Sequence, residues 1–320
     1  MKSYPNEMLK KLFKRMYLIR YFEEQAAVLY QKGHIAGFCH LYIGEEAVAE
    51  GVSENVTAKD SIITSYRDHG HIILAGVEPR KVMAELTGRI GGISKGKGGS
   101  MHMFSKEHNF YGGHGIVGAS TPIGTGLAFA HKYREDGGIC FAFIGDGAVN
   151  QGQVYESFNM ASLWELPILY VIENNHYALG TAIKRGCATT NLSIRGSGFD
   201  IPGKQADGMN VFAVLEAVKE CAEYVRNGNG PMILELDTYR YRGHSMSDPA
   251  KYRTREEVEK VKETRDPIKT IKLEMQKAGI PESEIDTIER EVIAIVDDAA
   301  DFALKSPIPE DSELYTDMLI

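Results

Sequence analysis

Cysteine is scarce and scattered. Cys39, Cys140, Cys187 and Cys221 are the only four in 320 residues, and none forms a C-x-x-C pair. That excludes a disulfide framework and a zinc knuckle and fits a reducing, cytoplasmic setting. No apolar run approaches the roughly 20 residues that a bilayer span requires. Glu7 stands before any possible signal-peptide core, so a membrane partner is not expected. Basic charge is also short. The 36 Lys and Arg against 44 Asp and Glu leave a net charge of −8, with no basic tail or block to grip nucleic acid.

The chain is long enough for roughly two domains, or for one large α/β domain with helical additions. Met8, Leu12, Met16, Ile19, Phe22, Ala26 and Leu29 recur at helical spacing, while Lys10, Lys11, Lys14, Arg15, Glu23 and Glu24 fall on the other side. This predicts a packed N-terminal helix with a solvated face. Further on, short apolar runs alternate with amphipathic segments, the signature of a mostly parallel sheet with helices on both faces. Residues 61–66, 139–145, 167–173 and 231–239 read as strands. Val154, Phe158, Ala161 and Trp164 share one helical face between the second and third, which completes a βαβ unit. After about Arg265 the chain turns to charged helices separated by Gly279 and Pro281. The expected division is an α/β unit over 1–265 and a helical appendage over 266–320 packed on the same core.

Ten glycines fall between Gly88 and Gly118, a density that no regular helix tolerates. Met101, Met103, Phe104, Phe110 and Tyr111 are interleaved, which argues for an ordered loop approaching a ligand.

The segment IGDGAVNQG (144–152) sets Asp146 between two glycines directly after a strand. A dinucleotide fingerprint would need a third glycine where Asn150 stands, so a nicotinamide cofactor is not expected. Gly91 to Lys97 fits the spacing of a P-loop, but Gly98 replaces the Ser or Thr that the motif requires. Two readings of Asp146 remain. It is part of a plain tight turn, or it is a metal ligand at the carboxyl end of a strand, where open α/β sheets bind ligands. The next strand ends in ENNHYALG (173–180), bringing Asn174, Asn175 and the Tyr177 carbonyl to the same sheet edge. Carboxylate, amide and carbonyl oxygens suit Mg²⁺ and disfavour zinc.

The GDG segment followed by a strand ending in NN resembles the thiamine diphosphate motif. Around it, GFCHLYIGEEA (37–47), SYRDHG (65–70), GGSMHMF (98–104), FYGGHGIVGA (110–119), ENNHYALGT (173–181) and YRYRGHSMSDPAKYR (239–253) look like the pyruvate dehydrogenase family. More closely, they look like the alpha subunits of its decarboxylating component in bacteria. The resemblance runs from about Tyr17 to Tyr315. It implies a thiamine diphosphate-binding α/β fold with Asp146, Asn175 and the Tyr177 carbonyl on Mg²⁺. Gly147 and Ala148 then contact the diphosphate, and Tyr66, Arg67, Gly115, Val117 and His244 contact the rest of the cofactor. His40 matches a cofactor-proximal histidine, and Gln151 falls on the substrate side.

The resemblance also implies the reaction: oxidative decarboxylation of pyruvate, with the two-carbon unit passed to the lipoyl group of an acyltransferase. The glutamate that activates the cofactor belongs to a second, pyrimidine-binding domain absent from this chain. A beta subunit is therefore implied, in an assembly of two alpha and two beta chains. Ser245 matches a regulatory phosphorylation position of the mitochondrial enzymes, whose second downstream serine is missing here. The alternatives are the alpha subunits of acetoin or branched-chain 2-oxo acid dehydrogenases and, from another class, a non-catalytic scaffold.

Overall fold

The computed structural model describes residues 4–318. The first helix, α1 (Asn6–Gln31), leads to α2 (Glu46–Ser53) and strand β1 (Ser61–Ser65), followed by α3 (His69–Leu74) and α4 (Pro79–Leu86). After the glycine-rich segment come β2 (Phe110–His114), α5 (Ser120–Arg134), β3 (Cys140–Gly145), α6 (Gly152–Leu163) and β4 (Ile168–Asn174). A small antiparallel hairpin, β5 (Tyr177–Ala178) and β6 (Thr181–Ala182), precedes α7 (Ile183–Gly186), β7 (Gly203–Asp207), α8 (Val211–Arg226) and β8 (Met232–Asp237). Three helices close the chain: α9 (Arg255–Thr264), α10 (Pro267–Lys277) and α11 (Glu282–Lys305).

The main sheet has six parallel strands in the order β2-β1-β3-β4-β8-β7. Its two faces follow from the period of two along each strand. Cys140, Ala142 and Ile144 of β3, with Ile168, Tyr170 and Ile172 of β4, pack against Ala128 of α5 and Val154, Phe158 and Ala161 of α6. The intervening Phe141, Phe143, Leu169 and Val171 face a larger core built from α1, α2, α4, α8 and α11. Both faces are covered, which is why β3 and β4 read as continuous apolar runs.

Five features depart from the sequence pattern. The glycine-rich stretch is not loop throughout, since its Phe110–His114 portion forms edge strand β2. β7 has no apolar run and alternates between exposed and half-buried positions, as an edge strand does. Trp164 lies past the end of α6 at 42% exposure, against Phe129 at 5.7 Å between ring centroids. Glu23 is fully buried on the inner side of α1, because His69 and the Tyr42 N–H meet its carboxylate. The basic side of α1 is paired as well as solvated: Lys14 reaches Glu291 at 2.7 Å, and Arg15 reaches Glu54 at 3.1 Å.

The charged C-terminal helices are anchored on the same core. Asp266 caps α10 through Ile268 N (2.9 Å) and Lys269 N (3.1 Å), while its other oxygen accepts from Arg20 (3.3 Å) and Tyr241 (3.1 Å). One carboxylate thus ties α10 to α1 and to the segment after β8.

Candidate active site

The carboxyl ends of β1, β3 and β4 and the segment after β8 surround a cavity of about 800 Å³. The sheet order reverses between β1 and β3, where an open α/β sheet leaves its crevice. His40, Tyr66, Arg67, Gly115, Val117, Asp146, Gly147, Ala148, Asn175, Tyr177 and His244 all line it. Gln151 does not. It caps α6 as an exposed residue beside Gly118 on the outer rim.

Asp146 and Asn175 are held together by one acceptor. The Glu173 carbonyl takes the Asp146 N–H at 3.3 Å and the Asn175 N–H at 3.2 Å, because Gly145 and Glu173 are register partners. The Asp146 carboxylate accepts the Gly147 N–H but has no side-chain partner among the described residues, and burial pushes its pKa up to about 6 against the opposing charge of Arg240. Gly147 is glycine for a packing reason, since a Cβ would collide with Ala178 of the hairpin.

The Asn175 amide donates to Glu45 Oε1 at 3.1 Å, and the Tyr177 carbonyl accepts from Arg240 Nη1 at 3.3 Å. Arg240 is almost fully buried and also donates to the Leu179 carbonyl (3.3 Å) and the Tyr252 hydroxyl (3.0 Å). Arg67 donates to the carbonyls of Leu41 (2.6 Å) and His244 (2.9 Å). It therefore brings positive charge to the floor while part of its fork is bound to backbone.

In the same cavity, His40, Tyr66 and His244 pack their rings together, His244 edge-on to the other two. Centroids are 4.4 Å apart for His40 and Tyr66 and 5.0 Å for His40 and His244. Burial, then the nearby Arg67 charge, lowers the pKa of His40 to about 2 and that of His244 to about 3. Both imidazoles are neutral at any physiological pH, and both Nδ1 atoms are buried without a hydrogen-bond partner. Orphaned polar atoms of this kind want a ligand.

The segment carrying His244 is pinned from within. Asp248 accepts from the His244 N–H (2.6 Å) and the Tyr252 hydroxyl (2.9 Å). Arg253 donates to the carbonyls of Arg240 (2.6 Å), Tyr241 (3.0 Å) and Arg242 (2.6 Å). Ser245, only 8% exposed, lines the cavity beneath this segment.

The glycine-rich loop approaches the cavity through Met101, Gly115 and Val117, yet its tightest part wraps an internal anion. The buried Glu85 carboxylate accepts from the N–H groups of Ser94 (2.8 Å), Gly96 (2.9 Å), Gly98 (2.7 Å) and Gly99 (3.2 Å). The P-loop-like spacing there cradles a side chain of the protein itself.

The family model described as "Dehydrogenase E1 component" matches residues 14–312. The chain belongs to the dehydrogenase E1 component family. Curated relatives named "Pyruvate dehydrogenase E1 component subunit alpha" include one from Zymomonas mobilis, 57% identical over 98% of this chain and 89% of its own length. Another from Rhizobium meliloti is 58% identical over 97% of this chain and 89% of its own. A mitochondrial relative from Dictyostelium discoideum is 50% identical over 96% and 81%.

Membership of the dehydrogenase E1 component family implies thiamine diphosphate as cofactor. The residues present fit that group: two buried arginines suit a diphosphate, and the Asp146 carboxylate, with no side-chain partner, lines the same cavity as the two histidines with orphaned Nδ1 atoms. Among the described residues no cluster of three His, Cys, Asp or Glu side chains could hold a metal. The sequence expects a cation on one carboxylate, one amide and one carbonyl, and Asp146, Asn175 and Tyr177 all line the cavity. Sequence reasoning missed Arg240, Glu45 and Glu173. All three lie inside quoted motifs, but their partners are backbone groups and side chains that only the fold brings near.

Proposed function

We propose that this chain is the alpha subunit of a pyruvate dehydrogenase, decarboxylating pyruvate on thiamine diphosphate and passing the acetyl unit to the lipoyl group of an acyltransferase. The observation that carries the proposal is the placing of Asp146 and Asn175 on one carbonyl, in a cavity they share with a pair of neutral, orphaned histidines. When bound, thiamine diphosphate supplies a carbon nucleophile and the electron sink for loss of CO₂.

The protein's part is to bind and orient. Asp146, the Asn175 amide oxygen and the Tyr177 carbonyl would hold Mg²⁺, and Arg67 and Arg240 would balance the diphosphate charge. Gly147 and Ala148 would offer the backbone approach to the phosphate, and Tyr66, Gly115 and Val117 would wall the cofactor. His40 and His244, kept uncharged by burial, would offer ring nitrogens to the reacting end without drawing the negative charge of a 2-oxo acid into a fixed ion pair. Gln151, on the rim, would meet substrate only where a second chain closes the cavity.

Among the described residues the one glutamate lining the cavity, Glu173, is engaged by the Tyr42 hydroxyl and by His71 at 3.1 Å. With Glu173 engaged in this way, an acid for the aminopyrimidine end would be supplied by a beta subunit, in an assembly of two alpha and two beta chains. A cytoplasmic setting accords with four free cysteines. Among the described residues no helix is long and apolar enough to cross a membrane.

The test is pyruvate-dependent reduction of an artificial electron acceptor with Mg²⁺ and thiamine diphosphate, using this chain alone and then with its beta chain. Activity is expected only in the mixture. Equal activity from the isolated chain would overturn the shared site. An assembled but inactive complex that turns over a branched 2-oxo acid would move the assignment to that substrate.

A further inference from the structure

Glu45 and Glu46 send their carboxylates to different places from one turn. Glu46 pairs with Arg20 on α1 at 2.9 Å and accepts the Gly44 N–H at 3.0 Å. Glu45 turns behind the cavity lining, toward Asn175. It is fully buried, its Oε1 accepts the Asn175 amide at 3.1 Å, and its Oε2 lies 3.8 Å from Arg67 Nε with no hydrogen bond.

The turn that aims it is rigid. The Glu45 N–H donates to the Tyr42 carbonyl at 3.2 Å, and the Tyr241 N–H donates to the Ile43 carbonyl at 2.9 Å. Gly44, at φ +104°, sits so close to the Tyr239 carbonyl that no side chain would fit. Although Glu45 stands at the N-cap of α2, its side chain makes no capping bond, so the helix does not account for a buried carboxylate here.

A carboxamide presents an acceptor at one end and donors at the other, and the two ends are nearly the same shape. Its neighbours decide which end faces a cation. The Asn175 amide nitrogen donates to Glu45 Oε1 at 3.1 Å, so Glu45 holds the nitrogen end of Asn175. The oxygen end then has only the Tyr177 N–H, at a weak 3.5 Å. We infer that Glu45 is a positioning residue for the cation: it locks Asn175 with its amide oxygen available to the metal and its nitrogen turned away. The inference rests on the reading of Asp146 and Asn175 as metal ligands.

Mn²⁺ binding to the assembled alpha–beta complex with thiamine diphosphate, followed by electron paramagnetic resonance, tests this in Glu45→Leu and Glu45→Gln. Outer-shell partners of metal ligands typically contribute about 10–100-fold to affinity. Glu45→Leu keeps the bulk and removes the acceptor, so Mn²⁺ affinity is expected to fall by about that factor while the metal-free complex still assembles and unfolds cooperatively. Glu45→Gln retains an oxygen for the Asn175 amide and is expected to stay within about threefold of the parent. Parent affinity in Glu45→Leu overturns the inference, and so does an equal loss in both variants, which would mean that charge rather than amide orientation matters. Should Glu45→Leu fail to fold, a tenfold or greater loss in Glu45→Gln alone is enough to overturn it. A parent complex that takes up no Mn²⁺ would remove the metal site itself, and the inference with it.

Discussion

Arg240 donates from Nη1 to the carbonyl oxygen of Tyr177 across 3.3 Å, from a position only 2% exposed to solvent. The same guanidinium holds the Leu179 carbonyl and the Tyr252 hydroxyl, so the β5–β6 hairpin and the 242–253 segment share one buried cation. A planar fork reaches these acceptors at once, which a lysine ammonium on a flexible stem does not.

Arg240→Met should therefore loosen both walls of the cavity together. It keeps the apolar stem but leaves two carbonyls and a phenol without their donor. We expect cofactor affinity to drop at least tenfold by calorimetry and the 242–253 segment to become sensitive to limited proteolysis. Tight cofactor binding with an intact segment would show that the arginine only fills space.

Asp146→Asn separates function from stability. Burial raises the Asp146 pKa to about 6 from 3.8, so the ionised carboxylate weakens the cofactor-free fold as pH rises through 6. Replacing it should stabilise the cofactor-free chain at pH 7.5 by on the order of 2 kcal/mol while abolishing Mg²⁺-dependent cofactor binding. Unchanged Mg²⁺-dependent affinity in calorimetry would take Asp146 out of the metal site.

How far the sequence carried follows from where each residue's partner lies. Asp146 and Asn175 were legible because a strand–turn pattern puts them at the ends of adjacent strands, whatever surrounds them. Strands β3 and β4 were legible because burial on both faces leaves an unbroken apolar run. β7 was not, because an edge strand needs little apolar surface. β2 was hidden by its glycines. Glu45, Arg240 and Glu85 look like ordinary charges in the chain, and their meaning comes from the Asn175 amide, the Tyr177 carbonyl and four loop N–H groups that the fold brings to them. Glu23, placed by periodicity on the wet side of α1, is buried because His69 waits there at 2.9 Å.

Glu85→Gln tests whether the glycine-rich loop is organised by its internal anion. A glutamine offers one oxygen and turns an NH₂ group toward N–H donors, so two of the four bonds to Ser94, Gly96, Gly98 and Gly99 are lost and donors are left unpaired in half-buried positions. At 1–3 kcal/mol for each unsatisfied group, a loss of about 3 kcal/mol in denaturant unfolding is expected. Amide exchange should quicken across 94–99 before anywhere else in the chain. Uniform exchange and parent stability would mean that the loop orders without the carboxylate.

Glu50 gives a pH dependence of definite sign. It is buried on α2, where Arg15 Nε lies 2.9 Å from Oε2 and Oε1 has no partner. Burial raises its pKa from 4.5 to about 8, with Arg15 opposing and Glu54 adding to the rise. Between pH 4.5 and 8 the folded chain keeps a proton that the unfolded chain releases, so stability is full below 4.5 and falls as pH climbs through 8. Glu50→Gln has no proton to lose. Since every other group titrates alike in both proteins, the difference between their unfolding free energies isolates Glu50. That difference should be small at pH 5 and favour Gln by on the order of 3 kcal/mol at pH 8.5, read from denaturant curves at several pH values. A difference that stays constant across this range would mean that Glu50 does not change protonation on unfolding, and that Arg15 keeps it ionised in the fold.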